Sequence, residues 1–305
     1  MPSDPPAEAA APWTTVEVRR SSAHRLDTFA ALDDALVAEV VSDLLWRTGP
    51  AAIEERADGD DLRLIAGYRT PEAGEAALAI LAGAGLAAEL GTVPEGTGLD
   101  GWRDHATAHR AGPFLLRPPW RTTAPEAETS PVPPSIVLDI DPGRAFGSGS
   151  HPTTRLCLEQ LARRVRPGDH VLDVGSGSGV LAVAAARLGA ARVDATDIDP
   201  AAPAAIDANA AANGVSSVVH ATGTPLADLV AAGRRAEIVV ANLLAPIVID
   251  LAEDLVAATA PGGLLIVSGL LASRWSPAID ALAGLQVIDL ASAEGWVAVT
   301  ARAAS

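Results

Sequence analysis

The run Val171-Leu-Asp-Val-Gly-Ser-Gly-Ser-Gly179 constrains this chain most. An apolar stretch meets glycines at 175, 177 and 179, and a helical pattern follows to Leu188. Glycines there let a ligand approach the backbone closely, and the helix N-terminus beyond them favours an anionic group. A dinucleotide fingerprint needs its third glycine three residues after Gly177. Val180 stands there, so that spacing fails. The G-x-G-x-G form with Asp173 two residues ahead then reads as a ligand-cradling loop of another kind. A structural tight turn and a nucleotide site are the competing readings.

The alternation around this run sets the fold class. Strands are expected at 136–140, 170–174, 191–196, 217–221, 236–241 and 263–268. Helices are expected at 153–165, up to 188, and at 200–213, 225–232, 246–258 and 277–282. This pattern reads as α/β with a doubly wound, mostly parallel sheet. Two closing strands, 285–290 and 296–301, are joined by a short connection and suggest an antiparallel ending. Ahead of this part, residues 12–91 read β-α-β-β-α-β: strands at 14–18, 51–55, 62–68 and 86–90, and helices at 31–47 and 71–84. That is the order of a ferredoxin-like α+β unit. Residues 1–11 read as a disordered tail, and 92–134, with eight prolines, as a linker.

Two further positions fall where open α/β sheets bind ligands. Asp197, in Thr196-Asp-Ile-Asp-Pro200, ends the strand after the glycine loop and is placed to accept both ribose hydroxyls. Asp199 reads as the cap of the following helix, with Pro200 in its first turn. Asn242, in Ala241-Asn-Leu-Leu-Ala-Pro246, ends the fourth strand of the core; its amide can orient an amine lone pair, or merely cap the next helix.

Composition narrows the class. The chain has 305 residues, a formal charge of −16, and 22 basic side chains, all Arg. That balance argues against direct nucleic-acid binding, which needs a basic face. The single Cys157 excludes an internal disulfide framework and a cysteine-rich zinc site. No run is apolar enough for a membrane span, and the first twelve residues lack the pattern of a signal peptide. A cytoplasmic enzyme is expected.

The string Asp141-Pro-Gly-Arg-Ala-Phe-Gly-Ser-Gly-Ser-His-Pro-Thr-Thr154 resembles the signature of the ribosomal protein L11 lysine methyltransferase (PrmA) family, with Ser148 and Ser150 in place of threonines. Gly175-Ser-Gly-Ser-Gly, Asp197-Ile-Asp, Asn242-Leu-Leu-Ala, Gly262-Gly-Leu-Leu-Ile-Val-Ser-Gly and Glu294-Gly-Trp-Val-Ala-Val-Thr look like further segments of it. The resemblance implies a class I S-adenosylmethionine-dependent methyltransferase domain over 135–305 behind a small substrate-recognition domain. It implies that Thr154, Asp173, Gly175, Gly177, Asp197 and Asn242 contact the cofactor, and that Phe146 and Gly147 lie in a loop covering it. Asn242 would be the catalytic residue. The partner would be a protein of the large ribosomal subunit, methylated on lysine ε-amines, the enzyme acting as a monomer and without a metal. A methyltransferase of the same fold acting on another protein, an RNA or a small molecule competes with this, as does a non-catalytic cofactor binder. No general base stands out; His151, before Pro152 at a helix start, reads as structural.

Overall fold

The computed structural model describes residues 13–19, 52–58, 61–68, 70–83, 85–93, 108–120, 135–141 and 151–305, with Val41, Leu45, Thr48 and Pro50. The chain divides into two compact units, Met1–Ala106 and Thr107–Ser305.

In the first unit, strands β1 (Trp13–Arg19), β2 (Ala52–Asp58), β3 (Asp61–Tyr68) and β4 (Ala88–Val93) form an antiparallel sheet in the order β2-β3-β1-β4. Helix α1 (Pro71–Gly83) crosses from β3 to β4. Its Ala77 and Leu81 are buried with Val16, Val18, Leu64, Ala66 and Tyr68. This is the strand order that a split β-α-β unit produces. The helix expected at 31–47 lies mostly outside the described residues; Val41 and Leu45 are helical and buried in the same core. The tail 1–11 lies outside them altogether.

The second unit corrects the sequence reading at its start. Strands β5 (His109–Ala111) and β6 (Phe114–Arg117) form an antiparallel hairpin inside the stretch expected to be a linker. Strand β7 (Ile136–Asp139) pairs in parallel with β6, not with the main sheet. Phe114, Leu116 and Leu138 are fully or almost fully buried against Leu158 and Leu161. Pro113, Pro118 and Pro119 mask this in the sequence, because prolines are tolerated at turns and at strand ends.

Helix α2 (Pro152–Arg164) leads into the main sheet. Strands β8 (His170–Val174), β9 (Arg192–Thr196), β10 (Val219–Thr222), β11 (Ala236–Asn242), β12 (Thr259–Leu271), β13 (Leu285–Ala293) and β14 (Trp296–Ala303) lie in the order β10-β9-β8-β11-β12-β14-β13. The first five run parallel, and β14 is antiparallel to both β12 and β13. The last strand of the chain therefore inserts between β12 and β13. Helices α3 (Val180–Arg187), α4 (Ala202–Ala212), α5 (Leu226–Ala231), α6 (Ala245–Asp250), α7 (Ala252–Ala258) and α8 (Ser276–Asp280) connect the strands. A single helix was expected over 246–258; it breaks at Leu251 into α6 and α7.

Both faces of the sheet are covered, which is why its strands read as continuous apolar runs. Val171, Ile238 and Val240 join α3 and α4 in one core, whereas Leu172, Val174, Val239 and Ala241 join α6 and α7 in the other.

Strand β12 bends at Ser268 and Gly269, where its register with β14 shifts between Val267 and Leu270. Gly269 has φ +85°, and a Cβ there would lie 2.3 Å from the backbone oxygen of Leu243. Neither the dihedral nor the backbone atom can yield cheaply. We expect Gly269→Ala to destabilise the protein by about 2 kcal/mol or more, read as a fall in the thermal midpoint of about 4 °C or more; an unchanged midpoint would show that Leu243 can move aside.

Candidate active site

Strand register brings the sequence-singled residues together. Thr196, Val174 and Ala241 are paired side by side across β9, β8 and β11. One residue further along stand Asp197, Gly175 and Asn242, at the carboxyl ends of three adjacent parallel strands. The chain reverses its direction of travel through the sheet between β8 and β11, so this is the topological switch point at which such sheets bind ligands.

The glycine loop is bent as its spacing predicted. Gly175, Gly177 and Gly179 have φ +72°, +53° and +79°. The Gly175 and Ser176 amides donate to the Thr196 carbonyl at 2.9 and 3.1 Å, tying the loop to β9. A side chain at Gly175 would put its Cβ 2.4 Å from Leu243 Cδ2, and one at Gly179 would sit 3.0 Å from Ile206. The positive φ angles disfavour side chains here, and the packing of Leu243 and Ile206 against the loop adds to that.

Asp197 is half-buried and already organises backbone. Its Oδ2 accepts from the Gly177 amide at 2.8 Å and its Oδ1 from the Asp199 amide at 2.9 Å. A carboxylate can accept about four hydrogen bonds, so capacity remains for two hydroxyls. Asp199 is not the helix cap: it accepts from the Ala201 amide at 2.9 Å in the turn ahead of the helix, and the cap position belongs to Ala201, which makes no side-chain cap bond. The helix then starts at Ala202 with Pro203 rather than Pro200 in its first turn.

Asp173 is completely buried. Its Oδ2 accepts from the Ala182 amide at 3.1 Å. Its Oδ1 has no partner among the described residues. Burial pushes its pKa up to about 7, against hydrogen bonding from Ser176 and Ala182; the Asp197 carboxylate nearby adds to the rise. A buried carboxylate oxygen without a donor is costly and calls for an explanation.

Asn242 is not a helix cap: the cap position of α6 belongs to Leu244. Its amide nitrogen donates to Thr154 Oγ1 at 3.3 Å. Thr154 itself is buried in the first turn of α2. With the nitrogen so engaged, the Asn242 carbonyl oxygen takes no hydrogen bond among the described residues. His151 is the cap of α2, its Nδ1 bonded to Thr153 Oγ1 at 2.8 Å and its ring edge-on to Trp296, with centroids 5.0 Å apart. Burial and the Arg155 charge lower its pKa, so it is neutral near pH 7. Phe146 and Gly147 lie outside the described residues. The close approach at Gly269 was missed by sequence reasoning, although a glycine inside a strand is a signal of it.

The profile of a family described as ribosomal protein L11 methyltransferase (PrmA) matches residues 76–304. The chain belongs to this family. A ribosomal protein L11 methyltransferase of Pelotomaculum thermopropionicum is 40% identical over 263 residues, covering 82% of this chain and 83% of that one. One from Geobacter sulfurreducens is 37% identical over 285 residues, covering 92% and 86%. The crystal structure of a ribosomal protein L11 methylase from Lactobacillus delbrueckii subsp. bulgaricus superposes with a TM-score of 0.58 at 30% identity, over 65% of this chain and all of that one. As a member of the PrmA family the chain is a methyltransferase, and its methyl donor is S-adenosylmethionine. The glycine loop, the unpartnered Asp173 oxygen and the Asp197 carboxylate fit that cofactor's methionine and ribose ends.

Two outcomes are expected. The folded protein holds the Asp173 proton more tightly than the unfolded chain, so the stability this group contributes is full below about pH 4 and is lost as pH rises through about 7. Asp173→Asn should therefore raise the thermal midpoint of the ligand-free enzyme at pH 8, on the order of the 2–4 °C that 1 kcal/mol produces in a domain of this size. The gain should vanish near pH 4, and affinity for S-adenosylmethionine should fall. A variant no more stable at pH 8 would mean that the carboxylate is not strained. Asp197→Ala should weaken S-adenosylmethionine binding by about 1–3 kcal/mol in calorimetry; unchanged affinity would remove Asp197 from the site.

Proposed function

We propose that this enzyme transfers methyl groups from S-adenosylmethionine to lysine ε-amines, and to an N-terminal amine where one is presented, of large-subunit ribosomal protein L11. The family membership over residues 76–304 carries the substrate. The aligned row of Asp197, Gly175 and Asn242 supports the chemistry. The reaction then belongs in the cytoplasm, where ribosomal proteins are made.

When bound, the cofactor supplies a methyl group already activated on a sulfonium. The chain must hold it, align the acceptor nitrogen with it, and keep that nitrogen neutral. The Gly175–Gly179 loop and Asp173 would hold the methionine end, and Asp197 the ribose. Ile198, 88% exposed directly after Asp197, offers an apolar surface to the adenine ring. Thr154 fixes the Asn242 amide nitrogen, which turns the Asn242 carbonyl into the acceptor that orients the incoming amine. The work is positional and needs no nucleophile. The one thiol, Cys157, is fully buried and pushed far up by that burial.

A lysine amine with a pKa of about 10.4 costs about 4.6 kcal/mol to deprotonate at pH 7. Partial desolvation beside Leu243 and Leu244 lowers that cost. His151 is neutral but serves as the helix cap, so bulk solvent receives the proton in this reading.

The test is transfer of labelled methyl groups to L11 from ribosomes of a strain lacking this enzyme, with the sites mapped by mass spectrometry. The chain holds no lysine, so its own side chains add no lysine label to the assay. Label on lysines of another protein, with none on L11, would reassign the substrate. Label only on small molecules would favour a small-molecule methyltransferase of the same fold. Asn242→Ala should lower kcat at saturating cofactor by about 100-fold, the cost of a misplaced reacting group. A kcat within a few-fold of the parent would remove Asn242 from catalysis.

A further inference from the structure

Strand β7 is the edge of its three-stranded sheet, with β6 as its strand neighbour. Its other edge is satisfied by a helix. Asn213 Oδ1 accepts from the Asp139 amide at 2.9 Å, and Asn213 Nδ2 donates to the Asp139 carbonyl at 2.7 Å. Asn209 treats Asp141 in the same way, at 2.9 and 2.8 Å. Four residues of helix rise about 6.0 Å, and two residues of strand about 6.8 Å. Two carboxamides one turn apart, on α4 and at its C-cap, therefore match the N–H and C=O of two alternate residues and stand in for a partner strand. Asn209 and Asn213 are 2% and 8% exposed, so both carboxamides are held in the interior.

The two amides differ in their remaining N–H. That of Asn213 returns to its own helix, donating to the Asn209 carbonyl at 2.8 Å. That of Asn209 donates to the Ser178 carbonyl, inside the glycine loop, at 2.9 Å. On the other side of the same peptide, the Gly179 amide donates to the Ser176 carbonyl at 2.8 Å. The Ser178–Gly179 peptide plane is thus clamped through both its oxygen and its hydrogen. Ile206, three residues before Asn209 and on the same face of α4, closes on Gly179.

We propose that Asn209 is a positioning residue for the cofactor. Through the Ser178 carbonyl it sets the plane of the last peptide of the glycine loop and ties that loop, by way of α4, to the end of β7. It touches no reacting atom. Asn213 performs the same service for the strand without reaching the loop, and the two side chains make three hydrogen bonds each. The inference rests on assigning the 175–179 loop to S-adenosylmethionine.

Full-length Asn209→Ala and Asn213→Ala, with Asp197→Ala as reference, are titrated with S-adenosylmethionine by calorimetry. Both Asn variants should lose comparable thermal stability. Asn209→Ala should raise the Kd about tenfold or more, the equivalent of at least one hydrogen-bond-sized loss, with kcat at saturating cofactor close to the parent. Asn213→Ala should stay within about twofold. In the ligand-free proteins, amide exchange over 176–180 should quicken in the Asn209 variant alone. Equal Kd shifts in the two variants, or a stability loss in Asn209→Ala without a change in Kd or exchange, would overturn the proposal. A weakened Asp197→Ala beside an unaffected Asn209→Ala sinks Asn209 alone. An unaffected Asp197→Ala sinks the assignment of the loop to the cofactor, and the inference with it. Should Asn209→Ala fail to fold, Asn209→Ser is read in the same comparison.

Discussion

Leu243 sits just past the ends of β8 and β11 and against Gly269 inside β12, and the site depends on how tightly the chain closes around it. Its amide donates to the Ser268 carbonyl, its side chain lies against Gly175, and its carbonyl lies against Gly269. A side chain at Gly269 would meet Leu243 backbone and push β12 from β11, whereas one at Gly175 would force the Leu243 side chain to move. The close approach keeps Asn242, one residue earlier, level with the glycine loop. Packing within protein interiors is dense enough that such a constraint passes directly into the position of a reacting group.

The same edge tolerates a charge-bearing group that the fold alone would not choose. Asp173 is fully buried, hydrogen-bonded on one oxygen only, and hard to ionise. An apolar residue would pack there without that cost, since unpaired buried charge is among the more destabilising features of an interior. The strain has a use if the ligand brings the missing positive group. Binding then relieves in the complex what is unfavourable in the free protein. Elsewhere the molecule pairs its buried acids conventionally: Asp194 meets Arg192 and His170, which hold its carboxyl well below the usual carboxylate range.

Much of this was legible in the residues. The three glycines with an aspartate two residues before them announced a strand, a bent loop and a helix, because no other residue adopts those dihedrals cheaply. Asp197 and Asn242 were legible because ligand-facing ends of parallel strands follow from the alternation itself. The hairpin at 109–117 was not, since three short segments between prolines carry too little periodicity. The break between α6 and α7 was equally hidden among helix-compatible residues. Asn209 and Asn213 left a faint sign: Asn is a weak helix former, and two of them one turn apart in an Ala-rich helix need a reason.

By itself the sequence determined the local geometry and the chemistry on offer: which segments bend, which alternate, which side chains can accept a ribose or orient an amine. Only the tertiary structure decided neighbours. It set β14 between β12 and β13, moved β7 out of the main sheet, and put Asp197, Gly175 and Asn242 in one row although 67 positions separate the first of these glycine-loop residues from Asn242. Strand order and register depend on packing between segments distant in the chain, and a linear pattern with a period of two or of 3.6 residues carries no record of which segment will lie beside which.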